Sequence, residues 1–239
     1  MSSLIPRSLF VVALPRSLST HVHGLCCRSL GLRSPSWADA GEVLNGDRIL
    51  LLSASQPHFL PAEAGALKMM SEFLDDAVRS YGRVYKDVVQ PFVVSRWLED
   101  RRLADKDAPA VLHVRRPLAD IAWSMKRANW RYPERAGGVP RAGEEPDDRL
   151  LRGLLRARTV LEKLSGAAEV ATVEFDEVLR DEQALPRALR KLYPAAQIRE
   201  VTYLDAAFQR RRDAILARRR GDDWRRLAVR LEEISATER

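Results

Sequence analysis

Apolar and polar positions alternate along the chain in two distinct rhythms. Leu9 to Leu14 is an unbroken apolar run with two β-branched valines, the pattern of a central strand buried on both faces. Arg48–Leu52, Val84–Val89, Ala110–Val114 and Val170–Phe175 are further strand candidates. Between them the spacing is helical. Leu67, Met70, Phe73, Leu74, Ala77, Val78 and Tyr81 share one face, Pro91 opens a helix carrying Phe92, Val93 and Trp97, and Pro117 opens another carrying Leu118, Ile121, Ala122 and Met125. Leu150 to Leu164 is amphipathic, and from about residue 176 the pattern is helical to the end. Strand–helix alternation predicts an α/β fold in three layers around a central, mostly parallel sheet of about five strands. One segment breaks the rhythm: residues 131–148 hold three prolines and three glycines with little apolar content, which predicts a long mobile loop that could serve as a lid.

Length and composition narrow the picture. The 239 residues fit one domain, and 46% hydrophobic content is enough for a core. The formal net charge is +7, carried by 34 arginines and only 6 lysines, which suits an anionic ligand and leaves nucleic acid and anionic membrane open. No apolar run approaches the roughly 20 residues of a membrane span, and none reads as a targeting segment. Cys26 and Cys27 are adjacent, a poor arrangement for a structural disulfide, so a reducing cytoplasm is expected.

The chemistry concentrates after the first strand, where Leu14 is followed by Pro15, Arg16, Ser17, Leu18, Ser19 and Thr20. In an open parallel sheet, ligands bind beyond the carboxyl ends of the strands. A loop there that feeds a helix offers unpaired amides and the positive end of the helix dipole to an anion. Arg16 adds a fixed charge and the hydroxyls add donors. The alternative is a helix N-cap by Ser19 or Thr20 beside an exposed arginine.

"LPRSLST" resembles the 5′-phosphosulfate loop of sulfotransferases that use 3′-phosphoadenosine 5′-phosphosulfate (PAPS), in which the loop directly follows the first strand. "VRRPLADIAWS", Val114 to Ser124, resembles the 3′-phosphate motif of that family: a strand-end arginine, a proline and a helical serine. "VEFDEVLRDEQALPRALRKLYP", Val173 to Pro194, resembles the strand and acidic helix common in these enzymes, and "RRRGDDW", Arg218 to Trp224, resembles their Arg-Lys-Gly segment. The motifs stand in family order over most of the chain. Two departures stand out. Leu18 replaces a glycine, so the loop is expected to be tighter or differently turned. The second motif is offset by one residue, so Arg115 and Arg116 are both candidates.

The resemblance implies a single P-loop NTPase-like domain over residues 1–239, acting as a PAPS-dependent sulfotransferase without a metal. Arg16, Ser17, Leu18, Ser19 and Thr20 would bind the 5′-phosphosulfate. Arg115, Arg116, Ser124, Arg219, Arg220 and Gly221 would serve the 3′-phosphate, with Gly221 turning the chain to free an arginine. Arg16 would act electrostatically. Candidate bases are Glu42, which resembles the glutamate of some bacterial carbohydrate sulfotransferases, His58 and Asp87. Asp87 lies beside Lys86, which resembles an active-site lysine of related enzymes; a structural Lys86–Asp87 pair is the alternative. His21, His23 and His113 read as structural. The acceptor would be a small molecule or carbohydrate, with no nucleic acid bound, and a homodimer stays open. The arginine- and alanine-rich usage hints at bacterial specialised metabolism. Competing classes are a P-loop small-molecule or nucleotide kinase, for which no Gly-Lys-Ser/Thr loop or metal-binding aspartate is evident, and a non-catalytic basic domain that binds anions or nucleic acid.

Overall fold

The computed structural model describes residues 6–44, 58–60, 64–104, 108–165 and 169–238. In chain order the elements are β1 (Leu9–Ala13), α1 (Ser19–Leu30), a 3-10 turn (Asp39–Gly41), α2 (Ala64–Ala77), β2 (Val84–Asp87), α3 (Pro91–Ala104), β3 (Ala110–Arg115) and α4 (Leu118–Arg127). They continue with a 3-10 segment (Tyr132–Gly137), α5 (Asp148–Ser165), β4 (Val170–Glu174), the single turn α6 (Phe175–Val178), α7 (Ala184–Leu192), α8 (Ala206–Arg218) and α9 (Asp222–Thr237). Among the described residues the sheet has four strands, ordered β2-β1-β3-β4 and all parallel. The expected fifth strand, Arg48–Leu52, lies outside the described residues.

The apolar run of β1 divides by alternation. Phe10, Val12 and Leu14 enter one core with α2, α3, α4, α5 and α9; Leu9, Val11 and Ala13 enter the other with α1, α7 and α8. Helices therefore cover both faces, giving the three layers expected of a parallel sheet. β1 lies between β2, which follows it in the chain, and β3, to which the chain returns. The carboxyl ends of β1 and β3 thus flank a topological switch point, where open parallel sheets form their binding crevice. Among the described residues no helix is long and apolar enough to cross a membrane.

Within residues 131–148, where a loop was expected, Tyr132–Gly137 form a 3-10 segment and the stretch up to α5 is irregular. The 3-10 segment lies against α5 so closely that a Cβ on Gly153 would stand 1.8 Å from the Pro133 carbonyl oxygen. Arg152 donates to the Gly137 carbonyl at 2.8 Å, and Arg156 to that of Ala136 at 2.9 Å. These bonds satisfy backbone carbonyls that the proline- and glycine-rich sequence cannot pair in a ladder of its own.

Candidate functional site

Beyond the carboxyl ends of β1, β2 and β3 opens a cavity of about 1110 Å³. One side is the loop 15–20. Arg16 and Leu18 both have positive φ, 65° and 56°. Leu18 therefore takes the left-handed conformation that its side chain disfavours and that glycine adopts freely. Such a conformation costs roughly 1–2 kcal/mol. The Leu18 side chain offsets this by packing into the core with Val22 and Leu25 of α1. Leu18 is the N-cap of α1 and makes no side-chain capping bond, so Ser19 and Thr20 are not the cap. The first-turn amides of α1 have no intrahelical acceptor and stand at the cavity, lined there by Ser19, Thr20 and His21. The Ser17 hydroxyl is buried without a hydrogen-bond partner, a cost that a ligand could relieve.

Arg16 is exposed to the cavity. Its Nε donates to Ser124 Oγ at 2.9 Å and its guanidinium lies 4.9 Å from the Trp130 ring centre. The choice between Arg115 and Arg116 resolves by alternation. Arg115 Nε donates to Glu174 Oε1 at 2.7 Å, beside Glu162, outside the cavity. Arg116 lines the cavity, with Nη1 donating to the Arg16 carbonyl, Nε 3.3 Å from Asp120 Oδ2, and its guanidinium 4.2 Å from the Phe175 ring centre. Burial pushes the Arg116 pKa down to about 10, against the opposing pull of Asp120, so it stays cationic at neutral pH.

The opposite side is built after α1. Ala40 and Gly41 both have positive φ, and a Cβ on Gly41 would stand 2.2 Å from His23 Nε2. This turn delivers Glu42 to the end of β2, where it pairs in parallel with Lys86. Lys86 Nζ donates to Glu42 Oε2, and the Val88 amide donates to Oε1 at 2.9 Å; both side chains are buried. Lys86 thus pairs with Glu42 and not with Asp87. Asp87 receives the Gln90 amide at 3.0 Å, and burial together with nearby Glu42 pushes its pKa up to about 8. His58 lines the same wall, its ring 5.4 Å from that of Tyr132, and burial lowers its pKa, so it is neutral at pH 7. Its Nδ1 is buried without a partner.

Arg16, Ser17, Leu18, Ser19, Thr20, Glu42, His58, Lys86, Arg116 and Ser124 therefore line one cavity, although they come from five separate stretches of sequence. Four nucleotide-binding candidates lie apart from it. Besides Arg115, Arg219 is bound by two carboxylates: Nε and Nη2 reach Asp120 at 3.0 and 2.6 Å, and Nη1 and Nη2 reach Asp176 at 2.8 and 2.6 Å. Trp224 Nε1 joins the same aspartate at 2.7 Å. Arg220 is exposed, and Gly221 has φ −79°, which any residue can adopt, so its special freedom is not used. Trp130, Tyr132, Arg211, Ile215 and Arg218 also line it, as does His21, which was expected to be structural. The signal for the α8 residues was present in the spacing 211, 215 and 218, one helical face; Trp130 and Tyr132 fall at the start of the segment that read as loop. His23, by contrast, is structural, its Nε2 2.9 Å from the Val84 carbonyl.

The cavity lining carries five cations (Arg16, Lys86, Arg116, Arg211 and Arg218) against one carboxylate, Glu42. That imbalance, with the helix N-terminus, gives the cavity a positive potential that favours anions.

No protein-family profile matches the chain, and no curated protein matches it in sequence. Among solved structures, the chain is similar to a sulfotransferase domain from the curacin biosynthetic pathway, with a TM-score of 0.46 and 10% identity over 96% of this chain and 99% of that one. It is also similar to a sulfotransferase from Alicyclobacillus acidocaldarius, with a TM-score of 0.45 and 17% identity over 99% of this chain and 100% of that one.

Proposed function

We propose that the chain is a cytoplasmic, single-domain sulfotransferase that moves a sulfuryl group from PAPS to a hydroxyl or amine of a small-molecule or carbohydrate acceptor. The observation that carries the reading is the loop 15–20 at the end of β1, with a strand-end cation, a buried unpaired Ser17 hydroxyl and the α1 N-terminus turned to one cavity. This donor set fits a phosphosulfate: a planar guanidinium, hydroxyls and backbone amides recognise tetrahedral anion oxygens.

In the transfer, the bond between sulfur and the bridging oxygen of the donor breaks as a bond from sulfur to the acceptor oxygen or nitrogen forms. Negative charge grows on the bridging oxygen and the 5′-phosphate. Arg16 stabilises it by charge and hydrogen bonding, with the Ser17, Ser19 and Thr20 hydroxyls and the α1 amides beside it. Guanidinium keeps its proton at neutral pH, so Arg16 is not an acid catalyst. The acceptor's proton goes to Glu42, whose carboxylate Lys86 and the Val88 amide hold in one orientation. His58 and Tyr132 form the wall against which the acceptor rests. Arg116 and Ser124 serve the nucleotide side.

A thermal-shift panel tests the donor: PAPS, 3′-phosphoadenosine 5′-phosphate, ATP with Mg²⁺, and a DNA oligomer. Selective stabilisation by the first two is expected. Preferential stabilisation by ATP with Mg²⁺ would point to a kinase, and by DNA to a nucleic-acid-binding domain.

A further inference from the structure

Trp130 is a large apolar side chain left 43% exposed, and it lines the cavity, where its ring centre lies 4.9 Å from the Arg16 guanidinium. So open an indole is not a core residue, and the sequence around it is arranged to hold it there. Helix α4 ends in a Schellman turn: the Asn129 amide donates to the Lys126 carbonyl at 3.1 Å and the Trp130 amide to the Met125 carbonyl at 2.9 Å. Asn129 has φ 54°, the left-handed conformation that such a turn needs and that asparagine accepts more readily than most side chains. The chain therefore doubles back at a fixed point and lays Trp130 over the loop 15–20. Behind it the Tyr132 ring lies 6.3 Å away, and Tyr132 in turn lies 5.7 Å from the fully buried Phe59. A relay of rings thus ties the exposed indole to the core.

Arg16 is held by α4 and this turn together. Ser124 of α4 accepts from Nε, and Trp130 covers one face of the guanidinium. The Nη groups of Arg16 have no hydrogen-bond partner among the described residues. A ring face attracts a guanidinium through its quadrupole and leaves the in-plane N–H groups free to meet an anion. A long side chain that is ordered before the ligand arrives loses less rotamer freedom on binding.

We propose that Trp130 is a positioning residue, whose indole face orders Arg16 with its Nη edge turned to the ligand. The proposal rests on the reading of Arg16 as the charge that meets the 5′-phosphate end of the donor. A cation–π contact of this exposure is worth about 3- to 10-fold in affinity.

The test titrates the full chain and its Trp130→Phe, Trp130→Leu and Trp130→Ala variants with 3′-phosphoadenosine 5′-phosphate, then repeats Trp130→Leu and Trp130→Ala in an Arg16→Ala background. Stabilisation by inorganic pyrophosphate is measured in parallel, and the unfolding midpoint checks each fold. Trp130→Leu and Trp130→Ala should weaken binding about 3- to 10-fold, while Trp130→Phe, which keeps a ring face, stays within about 2-fold. Without Arg16 the same two substitutions should change binding by under about 2-fold. Leucine binding as well as tryptophan would overturn the proposal, because apolar bulk alone would then suffice. Equal losses with and without Arg16 would also overturn it, because Trp130 would be touching the ligand itself. If the full chain does not bind the nucleotide, the donor reading falls. The stack then stands if pyrophosphate stabilisation drops in Trp130→Leu and Trp130→Ala but not in Trp130→Phe, and falls if pyrophosphate stabilises all of these proteins alike or none.

Discussion

Along the cavity wall, Arg16, Arg211 and Arg218 carry their charge with no carboxylate partner among the described residues, while in the seam behind it Arg219 and Arg230 are fully committed: Arg219 to Asp120 and Asp176, Arg230 to Asp148 through two bonds of 2.8 and 2.6 Å. Arg218 and Arg219 are adjacent in sequence and belong to opposite regimes. The seam uses arginine as a staple that closes helices onto the domain. On the wall, Lys86 and Arg116 are held by Glu42 and Asp120, and the charge left open to the cavity is that of Arg16, Arg211 and Arg218. Within this pair of neighbours, the arginine without a carboxylate faces the cavity and the one held by two carboxylates closes a joint.

The sharpest way to break that distinction is to remove one arginine from each side. Arg219→Ala leaves the buried Asp120 short of its main partner, and we expect a loss of about 3 kcal/mol in denaturant unfolding. Arg218→Ala should change unfolding by under about 0.5 kcal/mol. Similar stability losses in both would erase the contrast. Next in size, Arg16→Ala should lower turnover about 10²- to 10³-fold with the unfolding midpoint unchanged, as for the loss of one preorganised oxyanion donor; an unchanged rate with a proven acceptor would remove Arg16 from the site.

The acceptor side carries its own version of the comparison, since there the Lys86 charge is already neutralised by Glu42. The adjoining Asp87 has its pKa raised, by burial first and Glu42 second, to about 8. The folded state therefore holds a proton that the unfolded state releases near pH 4. This contribution is full below pH 4 and is lost as pH rises through about 8. Asp87→Asn should flatten the fall in stability across that window; an unchanged slope would assign it elsewhere. The smallest effect belongs to Leu18→Gly. Relief of the left-handed strain opposes the loss of a buried side chain and the added chain entropy, so a net loss of about 1 kcal/mol is expected in denaturant unfolding. A gain would mean the strain outweighs the packing.

Much of this arrangement was legible in the sequence. The apolar run of β1, the helical spacing of α3 to α5 and the alternation of elements follow from periods of 2 and 3.6, and the loop 15–20 declared itself by ending a buried strand in polar residues. What periodicity cannot carry is partnership across the chain. Nothing local says that Arg115 meets Glu174 while Arg116 turns inward, that Lys86 meets Glu42 rather than its neighbour Asp87, or that Arg152 and Arg156 pin residues 131–148. Leu18 misled for a different reason: local preference argued against positive φ, and packing into the core overrode it.

The central claim is that the loop 15–20 receives the 5′-phosphate end of a sulfuryl donor. A crystal structure with 3′-phosphoadenosine 5′-phosphate bound tests it directly. The account predicts 5′-phosphate oxygens within hydrogen-bonding distance of Arg16, Ser17 Oγ and the first-turn amides of α1. A nucleotide seated elsewhere, with that loop empty, would contradict it.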